Sequence, residues 1–283
     1  MTQLLGRKLS VFIGAYSENE ERVYTEDFNI DFTVKKTIDG KTPDTLTCSL
    51  YNVDRQNIWN YLFLDDAYIR LEGGYKELYG TLFQGDITNA TQYTEGVNLI
   101  TEIDAGDGDQ AINEVDINKA FAPEINIKSV LDDILNAITK NSNIIVDGFA
   151  KGEIAGIPGK LDFGDILNGK AINYMHDYLK AANKSFAVVN NVLKIFEDSY
   201  QDQIIKLTSE SGLVGSPREK RVEKTSKAKG KEITQGIDFK CLLMPGLNPG
   251  QRININDNEY TIQEISYTGN SRTGSYEASG FAI

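Results

Sequence analysis

The stretch Gly236-Ile-Asp-Phe-Lys-Cys-Leu-Leu-Met-Pro-Gly-Leu-Asn-Pro-Gly250 runs on into Gln251-Arg-Ile-Asn-Ile-Asn-Asp-Asn-Glu-Tyr-Thr-Ile-Gln-Glu-Ile-Ser-Tyr-Thr-Gly269. An apolar strand from Ile237 to Met244 ends at Pro245-Gly246, and Pro249-Gly250 makes a second turn. Arg252 to Ile255 alternates, Asp257-Asn258 reverses the chain, and Tyr260 to Tyr267 returns. Apolar residues at every second position, closed by Asn, Asp, Gly and Pro turns, mark a twisted antiparallel sheet with one wet face. A further alternating strand near Tyr276 to Phe281 ends the chain.

The first hundred residues follow the same pattern. Leu9, Val11, Ile13 and Ala15 share one strand face, and Ser17 to Arg22 is a polar turn. Phe28, Ile30, Phe32 and Val34 alternate, Asp39-Gly40 turns, and Leu46 to Tyr51 is a third strand. Asn52-Val-Asp54 opens a short helix in which Asp54 can cap free amides. Ile58, Trp59, Leu62 and Phe63 follow at helical spacing, and Trp59 reads as a core aromatic, with an interface anchor as the alternative. Ala67 to Leu71, a Gly73-Gly74 hairpin, Leu78 to Ile87 and Val97 to Ile103 complete a β domain ending near Ala105.

Between these regions the period changes. Ile127, Val130, Leu131, Ile134, Leu135 and Ile138 make a one-faced helix. Ala171, Tyr174, Met175, Tyr178, Leu179 and Ala182 make another, and Ser185 to Phe196 is a hairpin with an Asn190-Asn191 turn. The fold class is therefore mainly β with an α+β insertion. The expected divisions are 1–105, an insertion at 106–203, and a second β region at 204–283.

A chain of 283 residues is long enough for two or three domains. Its net charge of −12 argues against generic affinity for nucleic acid or anionic lipid. An acidic surface can still serve DNA by letting it slide past. Arg218, Lys220, Arg221, Lys224, Lys227, Lys229 and Lys231 oppose that trend, standing against only Glu219 and Glu223. With one large apolar residue, Val222, this segment reads as a mobile solvated loop, or as a contact for an acidic partner. Cys48 and Cys241 fall in apolar strand patterns and read as small buried hydrophobes. No basic-then-apolar leader and no run of about 18 apolar residues is present, so synthesis in the cytoplasm without membrane anchoring is expected.

Catalytic and ligand motifs are weak. His176 is the single histidine, which excludes a histidine-cluster metal site, and it lies on the polar side of its helix. Gly40-Lys41-Thr42 ends like a phosphate loop, but Lys35 stands where that motif needs glycine. Gly106-Asp-Gly108-Asp-Gln-Ala111 matches a dinucleotide fingerprint in form. Asp107 and Asp109 would repel a pyrophosphate, and Ile112 to Ile117 alternates like a strand. Asp104, Asp107 and Asp109 miss calcium-loop spacing. No carboxylate pair stands out for glycoside hydrolysis, and no cofactor or catalytic residue is expected.

Several segments, taken in order, carry a resemblance. They are Thr47-Cys-Ser-Leu-Tyr-Asn52, Leu82-Phe-Gln-Gly-Asp-Ile87, Ala105-Gly-Asp-Gly108, the insertion, Leu207-Thr-Ser-Glu-Ser-Gly-Leu-Val-Gly-Ser-Pro217 and Phe239-Lys-Cys-Leu-Leu-Met-Pro-Gly-Leu-Asn-Pro-Gly250. The whole resembles central baseplate hub proteins of bacteriophage tails, kin of the hub portion of type VI secretion spikes. The Leu-Leu-x-Pro-x-Leu-x-Pro-Gly stretch is its most telling piece, and the basic segment departs from it.

The resemblance implies two tube-type antiparallel β-barrel or sandwich domains flanking the insertion, in a structural, non-enzymatic virion protein. It implies a homotrimer that presents six β units to the tail tube or a distal tail protein and three-fold symmetry to a spike. DNA would pass through the lumen without specific binding. The seven basic residues from Arg218 to Lys231 are candidate partner contacts. Alternatives from other classes are a tail-associated cell-wall hydrolase and a receptor-binding module. The residues themselves add support: the strands at 46–51, 67–71 and 78–87 parallel those at 237–244, 252–255 and 260–267. A doubled unit whose edges pair around a ring leaves no edge to aggregate.

Overall fold

A computed structural model describes residues 6–18, 20–76, 78–197, 204–226, 230–272 and 274–283. Alternation sets the strands: in β1 (Arg7–Ala15) Leu9, Val11 and Ile13 are buried and their neighbours are not all so. β2 (Glu21–Thr25) pairs with β1 where a turn was expected to run on to Arg22. It is an edge strand held by backbone pairing, so its sequence carries little apolar signal. β3 (Ile30–Thr37) and β4 (Asp44–Tyr51) alternate cleanly, and α1 (Arg55–Leu62) follows. β5 (Ala67–Tyr75), β6 (Leu78–Glu95) and β7 (Asn98–Asp107) come next. β6 runs eight residues beyond the expected end because its distal part, mostly exposed, pairs only with β7.

The insertion contains α2 (Asp109–Asn113), β8 (Asp116–Phe121), α3 (Ile127–Lys140), β9 (Ile145–Val146) and α4 (Gly148–Ala155). It closes with β10 (Asp165–Lys170), α5 (Ala171–Ala181), β11 (Ser185–Val189) and β12 (Val192–Phe196). The expected one-faced helices are α3 and α5, whose apolar stripes face each other in one buried cluster with Leu167 and Phe186. Asn190 and Asn191, at φ 54° and 62°, turn β11 into β12 in the left-handed conformation that asparagine tolerates.

The second β region has β13 (Ile205–Lys206), β14 (Arg218–Ser226), β15 (Gly230–Leu242), β16 (Arg252–Ile255), β17 (Asn258–Asn270) and β18 (Tyr276–Ala282). All strands outside the insertion join one sheet, ordered β14-β15-β18-β17-β3-β4-β7-β6-β5-β1-β2, with β16 on β17 and β13 on β16. The order β3-β4-β7-β6-β5 recurs as β14-β15-β18-β17-β16. Consecutive strands of the chain take the same places in both runs.

The two runs meet where β17 pairs with β3, from Glu264 opposite Thr37 to Asn270 opposite Asp31. Beneath this seam one apolar cluster extends from Leu9 to Ala282. Tyr276 reaches across it: its hydroxyl accepts from Gly74 N at 2.9 Å and donates to Lys8 O, and its ring meets Tyr75 edge-on at 5.6 Å. Cys48 and Cys241 are free and buried in this cluster, and burial pushes both thiols up to about 12. Among the described residues no helix is long and apolar enough to cross a membrane.

Candidate functional site

The wet side of the shared sheet is a continuous polar face. Thr47 and Ser49 of β4 stand opposite Asp104 and Glu102 of β7, which stand opposite Asn89 and Thr91 of β6. On the other flank come Asp31 and Thr33 of β3, then across the seam Asn270 and Thr268 of β17. Glu277 and Ser279 of β18 and Lys240 of β15 extend it further.

Its carboxylates are met in two ways. Asp104 accepts from Thr47 Oγ1 at 2.8 Å and from Asn89 Nδ2 at 3.2 Å, and Asp31 accepts from Asn270 Nδ2 at 2.6 Å. Those partners are neutral, so the charge remains. Toward the other end, Lys240 pairs with Glu277 at 2.6 Å and Lys220 with Asp238 at 2.5 Å. The face is therefore more strongly acidic on its β3-β4-β7 side.

The basic segment is a correction to the loop expected from its composition. Arg218, Lys220, Arg221 and Lys224 lie on β14 and Lys231 on β15, in a two-stranded ribbon with Arg218 opposite Asp238 and Ser226 opposite Gly230. Lys227 and Lys229 lie outside the described residues. An edge ribbon is held by cross-strand backbone bonds and needs few apolar residues, which is why charge content misled. Gly236, opposite Lys220, has no Cβ; one there would meet the Phe281 ring at 2.7 Å and Val222 at 2.9 Å. Arg218 and Lys220 are exposed.

A second feature escaped the sequence reading. Lys36 sits on the buried side of β3 with 1% exposure. Its ammonium donates to Asn190 Oδ1 at 3.2 Å and to Asn248 Oδ1 at 2.9 Å. Asp107, also buried, accepts the backbone amides of Asn190 and of Asn191, the latter at 2.7 Å. Burial lowers the Lys36 ammonium and raises the nearby Asp44 carboxyl. Burial likewise pushes Asp107 up to about 6. Thus the insertion is fixed to the sheet by its Asn190-Asn191 turn. The one sequence clue was a lysine interrupting the inward apolar series Ile30, Phe32, Val34.

The weak motifs resolve locally. A five-residue helix, α2, occupies Asp109–Asn113, where part of an alternating strand was expected. Asp104, Asp107 and Asp109 diverge: the first faces the wet side, the second binds the Asn190-Asn191 turn, and the third accepts from Asn113 Nδ2 at 2.7 Å. His176 is partly exposed, with Nδ1 2.9 Å from Asp177 Oδ1. Trp59 is only partly buried; it stacks on Phe63 at 4.9 Å and donates to Gln92 Oε1 at 3.2 Å.

No protein-family model matches the chain, and no curated protein matches it in sequence. Solved structures do match. A tail protein from Neisseria meningitidis MC58 aligns with a TM-score of 0.63 at 7% identity over 97% of this chain and 96% of its own. The 43 kDa tail protein of prophage MuSo2 from Shewanella oneidensis gives 0.64 at 8% identity over 97% and 98%. The fold is that of phage tail proteins. The E. coli c3393 protein, a type VI secretion component with structural similarity to the T4 tail proteins gp27 and gp5, gives 0.61 at 11% identity over 96% and 76%. The likeness expected from segment order alone agrees with these neighbours, as does the mainly β class with a helical insertion.

Proposed function

We propose that the chain is a structural component of a phage tail baseplate: a trimeric hub that adapts a six-fold tail tube to a three-fold spike and lines the DNA channel. The observation that carries this reading is the recurrence of β3-β4-β7-β6-β5 as β14-β15-β18-β17-β16 within one chain. Three copies would then present six like units. The insertion at 106–203 has no counterpart in the second run, and it would hold the three-fold partner. We take 1–105 and 204–283 as the two tube-type units.

The acid-rich face across β3, β4 and β7 suits a channel wall. Asp31, Glu102 and Asp104 would repel phosphates and leave passing DNA unbound. Spike and tube proteins are the partners on this reading, and the virion is its location. Native mass spectrometry with electron microscopy of the purified protein over a concentration series tests it. Three-copy rings are expected; a strict monomer at every concentration would overturn it.

A further inference from the structure

The internal repeat identifies where a neighbouring copy docks. Val34, Leu46, Ala105 and Ile87 form one row across β3, β4, β7 and β6. Glu219, Ile237, Ala282 and Ile262 form the equivalent row across β14, β15, β18 and β17. Each row ends beside a bulge, between Ile87 and Asn89 in one case and between Ile262 and Glu264 in the other. Behind each bulge the pairing is again equivalent: Tyr68 to Leu71 face Asp86 to Phe83, and Arg252 to Ile255 face Thr261 to Asn258.

Ahead of the bulges the two halves differ. Glu264 to Asn270 of β17 are paired on their second edge by β3. The corresponding residues of β6, Asn89 to Glu95, are paired by β7 and by no second strand among the described residues. β14, the counterpart of β3, ends the sheet. The free edge of β6 and the terminal strand β14 are thus images of the two sides of the existing seam. They stand at opposite ends of the run β14-β15-β18-β17-β3-β4-β7-β6 and are not paired with each other within the chain.

We propose that β14 of one copy adds antiparallel to the distal edge of β6 in the next copy. Transferring the Glu264–Thr37 register puts Val222 opposite Asn89, Lys220 opposite Thr91 and Arg218 opposite Tyr93. The inference rests on the ring reading and specifies its joint. Charge supports it: the basic strand meets an edge backed by Glu102 and Asp104, which stand opposite Thr91 and Asn89. Polarity supports it too. Within the chain the seam sets Val34 against Tyr267, both buried. The transferred register sets Glu219 against Gln92, a polar pair suited to an edge that must stay soluble before assembly.

The test is disulfide trapping. Lys220→Cys with Thr91→Cys is compared with Lys220→Cys combined with Tyr93→Cys, two residues out of register; the native thiols are buried. A bridge needs Cα atoms within about 7 Å and diagonal neighbours lie about 7–8 Å apart, so the first pair is expected to cross-link at least about fivefold more. Circular dichroism checks that both variants fold. Hydrogen exchange of the unmodified protein supplies an independent readout, with amides of 89–93 expected to slow as copies assemble. If rings form but the in-register pair shows no advantage and 89–93 gain no protection, the joint is wrong and the ring stands. If the unmodified protein stays monomeric at every concentration, the ring and the joint fall together.

Discussion

Tyr276 and Asp107 carry opposite kinds of burial. Tyr276 keeps both hydroxyl bonds, to Gly74 N and Lys8 O, across the seam. Removing the hydroxyl in Tyr276→Phe takes the acceptor from the buried Gly74 amide and the donor from Lys8 O, a cost of about 1–3 kcal/mol. Denaturant unfolding should show that loss, and a change under about 0.5 kcal/mol, the ordinary surface range, would refute the assigned role. Asp107 holds its proton more firmly in the folded chain, at about 6 against 3.8, because burial penalises its charge. A group raised in this way favours folding below its unfolded value and ceases to as pH climbs through about 6. The difference corresponds to about 3 kcal/mol. Melting temperatures of the protein and of Asp107→Asn, compared from pH 4 to 7, should show the unmodified protein losing ground relative to the variant as pH rises. The reverse slope would show that Asp107 is stabilised as a carboxylate by the Asn190-Asn191 amides.

Among the elements, those with a one-sided apolar pattern were legible: β1, β3, β4, β16, β17, α3 and α5 fall close to their expected positions. Those held by backbone pairing or by contacts distant in sequence were not. β2 is an edge strand, β8 and β10 pair only with each other, and α4 is a short segment with two glycines, Gly148 and Gly152. β14 and the first part of β15, ahead of Ile237, were hidden by their charge. The acid-rich face was legible only as alternation, since which strands lie side by side is a property of the folded sheet. Lys36 could be seen as an interruption, but its partners Asn190 and Asn248 are 154 and 212 residues away. Because β14 pairs only with β15 and residues 218–231 add nothing to the main apolar cluster, replacing 218–231 by a short turn should leave a folded chain by circular dichroism. Ring formation by native mass should be lost. Intact rings from that variant would assign the joint elsewhere.

For the whole molecule, the uneven charge of the wet face governs what it tolerates nearby. Glu102→Lys combined with Asp104→Lys reverses the sign on its most acidic stretch. A mobility-shift assay with duplex DNA should show no complex for the unmodified protein and a salt-sensitive one for the variant, weakening as ionic strength rises because releasing counterions into saltier solution gains less free energy. Tight binding by the unmodified protein would contradict a low-friction wall. The thiols offer a check on the folded body itself: Cys48 and Cys241 should react with a thiol reagent only on unfolding, since both are buried and held up to about 12.

β6 joins these scales. Its 18 residues extend about 60 Å at strand rise, roughly three times a common strand. Half of that beam is enclosed by its own chain, and half projects with one flank bare among the described residues. A bend introduced near Ile87 would therefore travel in both directions, loosening the packed wall behind it while misaiming the rail ahead. Strain at one end of such a girder becomes misalignment at the other.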